Sequence, residues 1–188
     1  MNPAALIGGF TDAPVQSSRA FRAVLEALSQ PGTLRLLTGA EPPAPLSVAA
    51  GVLVLTLCDA TTPLHLAGHF DTADLRDWVT FHTGAPLVAA EEARFAVGDW
   101  SGLQPLNRFA LGQPDYPDRA ATLIVEMPAL SNTGARLTGP GIAGHATLSL
   151  PEVAAFQANR ALFPLGFDCL FTAGQQVAGL PRSTKVEA

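Results

Sequence analysis

The sequence predicts an α/β fold in which a mixed β-sheet is flanked by helices, with residues 1–188 forming a single domain. Three observations favour this class. Apolar residues recur at helical spacing between Phe21 and Leu28, residues 121–127 form an apolar run of strand length, and residues 167–180 have the pattern of a β-hairpin. Because helical and strand patterns interleave irregularly along the chain, a mixed sheet fits better than a regular alternation of strand and helix.

Composition limits the classes of function. Of the 188 residues, 48% are hydrophobic and 14% are charged, below the ~25% that is usual in soluble domains. A surface so poor in charge commonly covers apolar area with a partner, so we expect a subunit of an oligomer or complex. The net charge of −5 and the lack of a basic run argue against binding of nucleic acid through its phosphates.

Compartment and membrane contact are predicted from three features. The longest apolar run, residues 48–58, is too short to cross a bilayer, and the N-terminus lacks the basic and apolar regions of a secretory signal. Cys58 and Cys169 lie in apolar surroundings, where we expect small core hydrophobes rather than a disulfide framework. We therefore predict a cytoplasmic protein that binds no membrane.

The first third of the chain predicts one clear helix and one ambiguous segment. The first helix starts near Asp12 and Pro14 and stops at the Gln-Pro-Gly of residues 30–32. Residues 33–37 then form a short strand candidate, and a proline-rich loop covers residues 38–45. Residues 46–58 fit either a helix capped by Ser47 or a buried strand, and the length of the segment favours the helix.

The middle third predicts strand, helix and strand, followed by a long loop. Residues 64–66 are a strand candidate, and a helix capped by Asp71 or Thr72 ends at Gly84. Residues 94–97 alternate as a strand does. The loop that we predict for residues 98–117 is rich in glycine, proline and aspartate, and loops of that length usually have a function.

The last third contains most of the predicted strands. We expect strands at residues 121–127, 135–138 and 146–150. Ser149 and Glu152 have the spacing of a capping box, which predicts a helix that extends to about Leu162. A hairpin then joins residues 167–172 to residues 176–180 across Ala173 and Gly174.

Two features could bind an anionic ligand. Glycines in the turn at residues 139–144, including Gly139 and Gly141, could direct backbone N–H groups at a phosphate or phosphonate, although tight turns between strands use the same residues. Arg160 and Arg182 carry guanidinium groups, which bind phosphonates and carboxylates with two parallel hydrogen bonds. The competing interpretation is that both arginines are ordinary surface or interface residues.

Metal binding and catalysis have weaker signals. Cys58, His65 and His69 suggest a zinc site, but their spacing does not place them on one rigid turn or helix face. No nucleophile–base motif of a hydrolase occurs, and we assign no catalytic and no metal-binding residue.

An interface is predicted where aromatic residues lie on loops. Trp100, Phe109 and Tyr116 occur in the predicted loop at residues 98–117, and Phe163 precedes a proline near the end of the last helix. Aromatic residues on long loops commonly anchor protein interfaces. The alternative is that these side chains fold back onto the chain's own core.

Several short motifs occur together in a specific order. They are Ala-Phe-Arg (20–22), Ser-Gln-Pro-Gly (29–32), Leu-Thr-Leu-Cys-Asp (55–59), Trp-Val-Thr-Phe-His-Thr (78–83), Leu-Thr-Gly-Pro-Gly-Ile (137–142), Asn-Arg-Ala-Leu-Phe-Pro-Leu-Gly-Phe-Asp (159–168) and Leu-Pro-Arg-Ser-Thr (180–184). With these motifs the chain resembles the H-subunit family of the bacterial carbon–phosphorus lyase system, which handles phosphonates. The resemblance covers nearly the whole chain.

The resemblance implies a fold related to the large domain of pyridoxal-phosphate-dependent aminotransferases, without retention of the cofactor. The residues agree on the cofactor, because the only lysine, Lys185, lies in a polar segment at the very end of the chain. A pyridoxal enzyme forms its Schiff base on a lysine of the core. We therefore expect this chain to bind no pyridoxal phosphate and no other cofactor.

The resemblance also implies a homodimer within a complex of G, I, J and K subunits. That complex exchanges the base of a purine nucleoside triphosphate for an alkylphosphonate, which gives a ribose 1-phosphonate 5-triphosphate. We expect this chain to be a structural or accessory subunit of that transferase step, not active alone. The alternative is a free-standing phosphonate- or phosphate-binding protein or transferase that uses the turn at residues 139–144 and Arg182.

Overall fold

The computed structural model describes residues 3–188, with side chains from Ala5 onward. The four α-helices are α1 (Ala13–Ser29), α2 (Val48–Leu57), α3 (Ala73–Thr83) and α4 (Val153–Ala161). The strands are β1 (Arg35–Leu36), β2 (Leu64–Leu66), β3 (Phe95–Asp99), β4 (Leu111–Gln113), β5 (Tyr116–Ala120), β6 (Thr122–Glu126), β7 (Ala135–Thr138), β8 (Ala146–Leu148), β9 (Asp168–Ala173), β10 (Gln176–Leu180) and β11 (Lys185–Glu187). No helix of this described part is long and apolar enough to cross a membrane.

The main sheet has six strands in the order β1-β10-β9-β6-β3-β2. Strands β2, β3, β6 and β9 are parallel, whereas β10 and β1 run antiparallel to β9 and β10 respectively. A second sheet of three antiparallel strands has the order β11-β7-β8, and β4 pairs with β5 as a hairpin. The predicted α/β class with a mixed sheet is therefore confirmed.

Both faces of the main sheet are buried. On one face, Ile124 of β6 and Leu170 of β9 join the apolar cluster formed with α1, α2 and α3. On the other face, Val125 and Phe171 join a second cluster, which includes α4 and the three-stranded sheet. Because successive side chains of a strand point to opposite faces, a strand buried on both faces must be apolar at every position, as β6 largely is.

The capping residues of α2 and α3 show how these two helices begin, which the sequence left open. Residues 48–57 are helical, and Ser47 Oγ accepts a hydrogen bond from the backbone N–H of Ala50 at 3.2 Å. At α3, Thr72 is the capping residue rather than Asp71, because its hydroxyl accepts from the N–H of Leu75 at 3.2 Å. The helix ends at Gly84, as predicted, in the left-handed conformation that favours glycine.

The prediction of a single irregular loop at residues 98–117 is wrong. It begins with the end of β3, contains a short 3-10 helix at Leu106–Arg108, and then forms the β4–β5 hairpin. Gly112 has φ +83°, and a side chain there would collide with the carbonyl oxygen of Pro117 at 2.7 Å. This close approach lets two strands pair in a segment whose prolines predict a loop.

The predicted capping box is also wrong, because α4 begins at Val153 and neither box residue caps it through its side chain. The Ser149 hydroxyl instead accepts from the N–H of Ser131 at 3.0 Å, and the Glu152 carboxylate accepts from the indole N–H of Trp100 at 3.0 Å. Tertiary partners thus replace the local hydrogen bonds that the spacing predicts.

The C-terminal region confirms one prediction and adds a strand. Strands β9 and β10 form the predicted hairpin, with the turn one residue later than expected, at residues 174–175. The polar segment that contains Lys185 is not a free tail, because β11 pairs with β7 and places Val186 in the second apolar cluster. The Lys185 side chain itself is exposed.

Candidate functional site

The carboxyl ends of β2, β3, β6 and β9 meet at one edge of the main sheet, which we call the carboxyl edge. Ligands of open α/β sheets usually bind in a crevice at this edge. The acidic residues here are Asp99 at the end of β3 and Glu126 at the end of β6. The chemistry available at the carboxyl edge therefore depends on whether these two carboxylates are free.

Asp99 is used to hold the loop that follows β3. Its Oδ1 accepts from the N–H of Gly102 at 2.7 Å, and its Oδ2 accepts from the Ser101 hydroxyl at 3.1 Å. His69 lies beside it, with Nδ1 3.7 Å from Asp99 Oδ2, and this histidine is largely exposed. A carboxylate that already accepts two hydrogen bonds from its own loop is a poor general base for a bound substrate.

Glu126 holds the start of α2. Its Oε1 accepts from the backbone N–H of Ser47 at 2.6 Å, so the carboxylate lies at the N-terminus of the helix, where negative charge is favourable. Burial raises the pKa of Glu126 above its usual range, while the hydrogen bonds from Ser47 and Thr172 oppose that shift. The place where many α/β folds bind a phosphate is thus filled by the protein's own acid.

A crevice of about 480 Å³ opens near the same edge. Its lining residues are Gly8, Gly9, Thr11, Gln16, Gly39, Ala40, Glu41, Val48 and Gln175. The charged side chain in this lining is the carboxylate of Glu41, and none of these residues is an arginine or lysine. The described residues that line this crevice therefore offer no cationic partner for a phosphonate or a triphosphate.

Asp99 and Glu126 were not predicted as structural acids. The available signal was an acidic residue directly after an apolar strand pattern, Ala-Val-Gly-Asp in β3 and Leu-Ile-Val-Glu in β6. Acids at that position lie at the carboxyl edge by topology, but the pattern does not reveal which backbone N–H groups they bind.

Arg182 forms an internal clamp. Its Nη2 donates to Asp168 Oδ2 at 2.6 Å, its Nε donates to Oδ1 at 3.1 Å, and its Nη1 donates to the carbonyl oxygen of Pro117 at 2.7 Å. The backbone N–H of Arg182 also donates to Asp168 Oδ1, at 2.8 Å. Because the guanidinium is mostly buried and bound on both sides, it is occupied by the chain's own acceptors.

Arg160 stacks on the aromatic ring of Phe163, which precedes β9. Its guanidinium carbon lies 4.7 Å from the centre of the Phe163 ring, a cation–π arrangement. Phe163 precedes β9, and Asp168 begins it, so Arg160 and Arg182 both lie near the amino ends of the parallel strands. This amino edge is opposite the carboxyl edge where such folds bind ligands.

The glycine turn at residues 139–144 packs against its neighbours. A side chain at Gly141 would lie 1.8 Å from the carbonyl oxygen of Ser29 at the end of α1, and one at Gly139 would lie 3.4 Å from that of Ser183. The N–H of Ile142 donates to the Gly139 carbonyl oxygen at 3.2 Å. The turn therefore packs at Gly141 against the end of α1, and at Gly139 it lies beside the segment before β11.

Two of the predicted interface residues contact the chain's own core. Phe109 is 2% exposed and packs in the second apolar cluster, so it cannot be a surface anchor in this conformation. Trp100 is half-buried, with its ring 5.1 Å from that of Phe156 and its N–H bonded to Glu152. For Phe109 the alternative interpretation, folding back onto the core, is the one the structure supports, because the segment ends in a paired hairpin that turns this side chain inward.

The other two predicted interface residues are exposed and lie close together. Phe163 and Tyr116 are 49% and 48% exposed, and residues next to Tyr116 line the same depression of about 380 Å³ as Phe163. We call this area the Phe163 surface, defined by Tyr116, Pro117, Leu162, Phe163 and Pro164. It is an apolar area at the amino edge.

The candidate zinc ligands do not come together. Cys58 is buried in the first apolar cluster, and burial raises the pKa of its thiol to about 12. His65 Nδ1 lies 3.0 Å from the carbonyl oxygen of Val88, and its ring meets the edge of Phe109, whereas His69 lies beside Asp99. Across the described side chains, no three of the His, Cys, Asp and Glu residues are grouped to hold a metal ion.

Comparison with known proteins gives consistent matches over nearly the whole chain. Residues 8–187 match the family model described as bacterial phosphonate metabolism protein (PhnH). The chain is 40% identical to the alpha-D-ribose 1-methylphosphonate 5-triphosphate synthase subunit PhnH of Rhizobium meliloti, over 96% of this chain and 94% of that protein. It is 32% identical to the putative C-P lyase subunit protein HtxG of Stutzerimonas stutzeri, over 93% and 87% of the two chains.

The raised pKa of Glu126 can be tested by measuring the free energy of unfolding at several pH values. In Glu126→Gln the amide oxygen can still accept from the Ser47 N–H, but the charge is gone. Because the folded-state pKa of Glu126 is raised, the unfolded chain loses this proton first, and the wild-type free energy of unfolding falls as pH rises above the ordinary value near 4.5. We expect Glu126→Gln to escape that fall, as measured by urea unfolding at several pH values.

Glu126→Ala is the matched control, because it removes both the charge and the acceptor. Relative to Glu126→Gln, it should lower the free energy of unfolding by about 1–3 kcal/mol at every pH, since the Ser47 N–H loses its partner. Parallel pH curves for the wild type and Glu126→Gln would contradict the assignment of Glu126 as a partly buried acid with a raised pKa.

Proposed function

The chain belongs to the PhnH family of bacterial phosphonate metabolism proteins, and from this we propose that it is an accessory subunit of the complex that makes ribose 1-methylphosphonate 5-triphosphate. The named relatives support this role, because one is a PhnH subunit of that synthase and the other a putative C-P lyase subunit. In the proposed complex, an alkylphosphonate replaces the base on the ribose of a purine nucleoside triphosphate. The other components are the G, I, J and K subunits.

The observation that carries the accessory role is that the acids at the ends of β3 and β6, and the predicted ligand residue Arg182, are bound by the chain's own groups. Asp99 and Glu126 hold backbone N–H groups at the carboxyl edge, and Arg182 is bound by Asp168. Binding a nucleoside triphosphate and a phosphonate together needs cationic or metal-bound groups, because both substrates are strongly negative. The ends of β3 and β6 offer carboxylates instead, so the chain contributes by contact with subunits that carry the chemistry.

Dimerisation through the Phe163 surface is the second part of the proposal. The surface is apolar at its centre and carries both charge signs at its rim, with Arg119 stacked 4.0 Å over the Tyr116 ring and Asp118 lining the depression. A twofold interface must be complementary to itself, and a patch with both charge signs around an apolar centre meets that requirement. The second copy of the chain would cover Phe163 and Leu162.

We also propose a relationship to the fold of pyridoxal-phosphate-dependent aminotransferases, without the cofactor, and a cytoplasmic location. The family resemblance and the parallel core of β2, β3, β6 and β9 support the first proposal. The second is supported by the two cysteines, which are both free and buried, as is usual in a reducing compartment.

The accessory role is tested by turnover of a purine nucleoside triphosphate with methylphosphonate. The isolated chain should release no purine base, whereas the remaining subunits should become active only when the chain is added. The assay is chromatography of the released base. Turnover by the isolated chain, or full activity of the other subunits without it, would refute the accessory role.

The dimer proposal is tested with Phe163→Asp. A charge at an exposed interface centre should raise the dimer dissociation constant by about tenfold or more, while the stability of the fold changes by only about 0.5 kcal/mol. Phe81→Asp is the matched control, since Phe81 is equally exposed at 49% but lies on α3. Light scattering after size-exclusion chromatography measures both. A monomeric wild type, or equal effects of the two variants, would argue against this interface.

The proposal that no pyridoxal phosphate binds is tested at Lys185. This residue lies on β11, where it pairs with Thr138 of β7. Its side chain is exposed, and it lines none of the depressions described above. Incubation with pyridoxal phosphate, borohydride reduction and mass spectrometry should give no stoichiometric adduct. A single adduct at Lys185 at substoichiometric cofactor would show that a cofactor site exists.

A further inference from the structure

A second exposed surface lies at the opposite end of the sheet from β2. It consists of the outer face of α1 and the edge strand β1, and we call it the α1–β1 surface. Its residues are Val15, Arg19, Phe21, Arg22 and Leu25 of α1 and Leu36 of β1. In the described part of the chain, β1 pairs with β10 alone, so its outer edge is open.

Large apolar side chains are exposed on this surface. Phe21 is 47% exposed, Leu25 is 51% exposed and Leu36 is 67% exposed. Phe21 and Leu25 stand four residues apart on one helix, so they are neighbours on its outer face. Val15 is a fourth exposed apolar residue on the same helix. An apolar group of this kind on a folded chain usually marks a surface that another protein covers.

The charges of the surface decide what kind of protein covers it. Arg19 and Arg22 are exposed, and neither is paired with an acid among the described contacts, whereas Glu26 is already paired with Arg35 at 3.2 Å. The α1–β1 surface is therefore locally positive on a chain whose net charge is −5. Complementarity requires a partner that presents carboxylates around apolar side chains.

The same charges argue against a second copy of this chain. A twofold contact of the surface with itself would bring Arg19 and Arg22 of both copies together, and Glu26 is not free to compensate them. Like charges that face each other across an interface are unfavourable and disfavour the wrong partner. The surface therefore has a different occupant from the Phe163 surface.

We propose that the α1–β1 surface is the docking site for another subunit of the complex, through an acidic and apolar segment of that subunit. The proposal rests on the proposed function. Phe21 and Leu25 supply the apolar contact, Arg19 and Arg22 pair with carboxylates of the partner, and the open edge of β1 lies beside them. The chain thus has two interfaces of different character, one for its twin and one for a different subunit.

The test measures binding of the chain to the remaining subunits of the complex, purified together, at low and at high salt. Arg22→Glu and Phe21→Ser are compared with matched controls at exposed sites elsewhere, Arg94→Glu and Phe81→Ser. Both test variants should bind about tenfold more weakly or worse, and the controls should bind as the wild type does. Arg22→Glu should also reduce the salt dependence, because it removes an electrostatic contribution.

Three results would overturn the proposal. Binding of Arg22→Glu and Phe21→Ser at wild-type affinity would show that the surface is not used. Loss of self-association of the isolated chain in these variants, measured by light scattering, would assign the surface to a second copy. Binding of single-stranded RNA by the wild type that is lost in Arg22→Glu would assign it to a nucleic acid. A wild-type chain that fails to bind the other subunits would instead remove the proposed function, and this inference with it.

Discussion

The burial of the central strands on both faces is the constraint from which the rest of the structure follows. Strands β6 and β9 lie in the middle of the sheet, with Ile124 and Leu170 against the helices α1–α3 and Val125 and Phe171 against the layer of α4. A strand buried on both faces has no place for a charged side chain, because an unpaired buried charge costs several kcal/mol. Charged residues of these strands are therefore confined to their ends.

That confinement explains why the carboxylates at the strand ends are bound by the chain's own groups. The acids at the strand ends are Asp99, Glu126 and Asp168, and each one binds groups of the chain itself. These contacts fix the loop after β3, the start of α2 and the segment before β11. The large apolar side chains that remain exposed include those of the Phe163 surface and of the α1–β1 surface. A chain built in this way is suited to contact other subunits.

The sequence predicted the elements whose pattern is local. The caps of α2 and α3, the stop at Gly84 and the β9–β10 hairpin all depend on neighbouring residues, and they were found. The failures depend on distant partners. Glu152 binds Trp100 instead of capping α4, Phe109 is buried because the β4–β5 hairpin turns it inward, and Arg182 is held by Asp168. Spacing along the chain carries no signal for such contacts. The sequence therefore could not tell which of the predicted ligand and interface residues bind groups of the chain itself.

Amide hydrogen exchange of this chain, alone and within the assembled complex, tests most directly whether it contributes surfaces rather than chemistry. Exchange would be followed with and without a purine nucleoside triphosphate and methylphosphonate. We predict that assembly protects α1 and β1, that residues 162 and 163 are already protected in the isolated dimer, and that substrates change nothing in the isolated chain. Protection of the amides of Ser47 and Gly102 by substrates in the isolated chain would contradict it, because those amides lie at the carboxyl edge, where a ligand of this chain would bind.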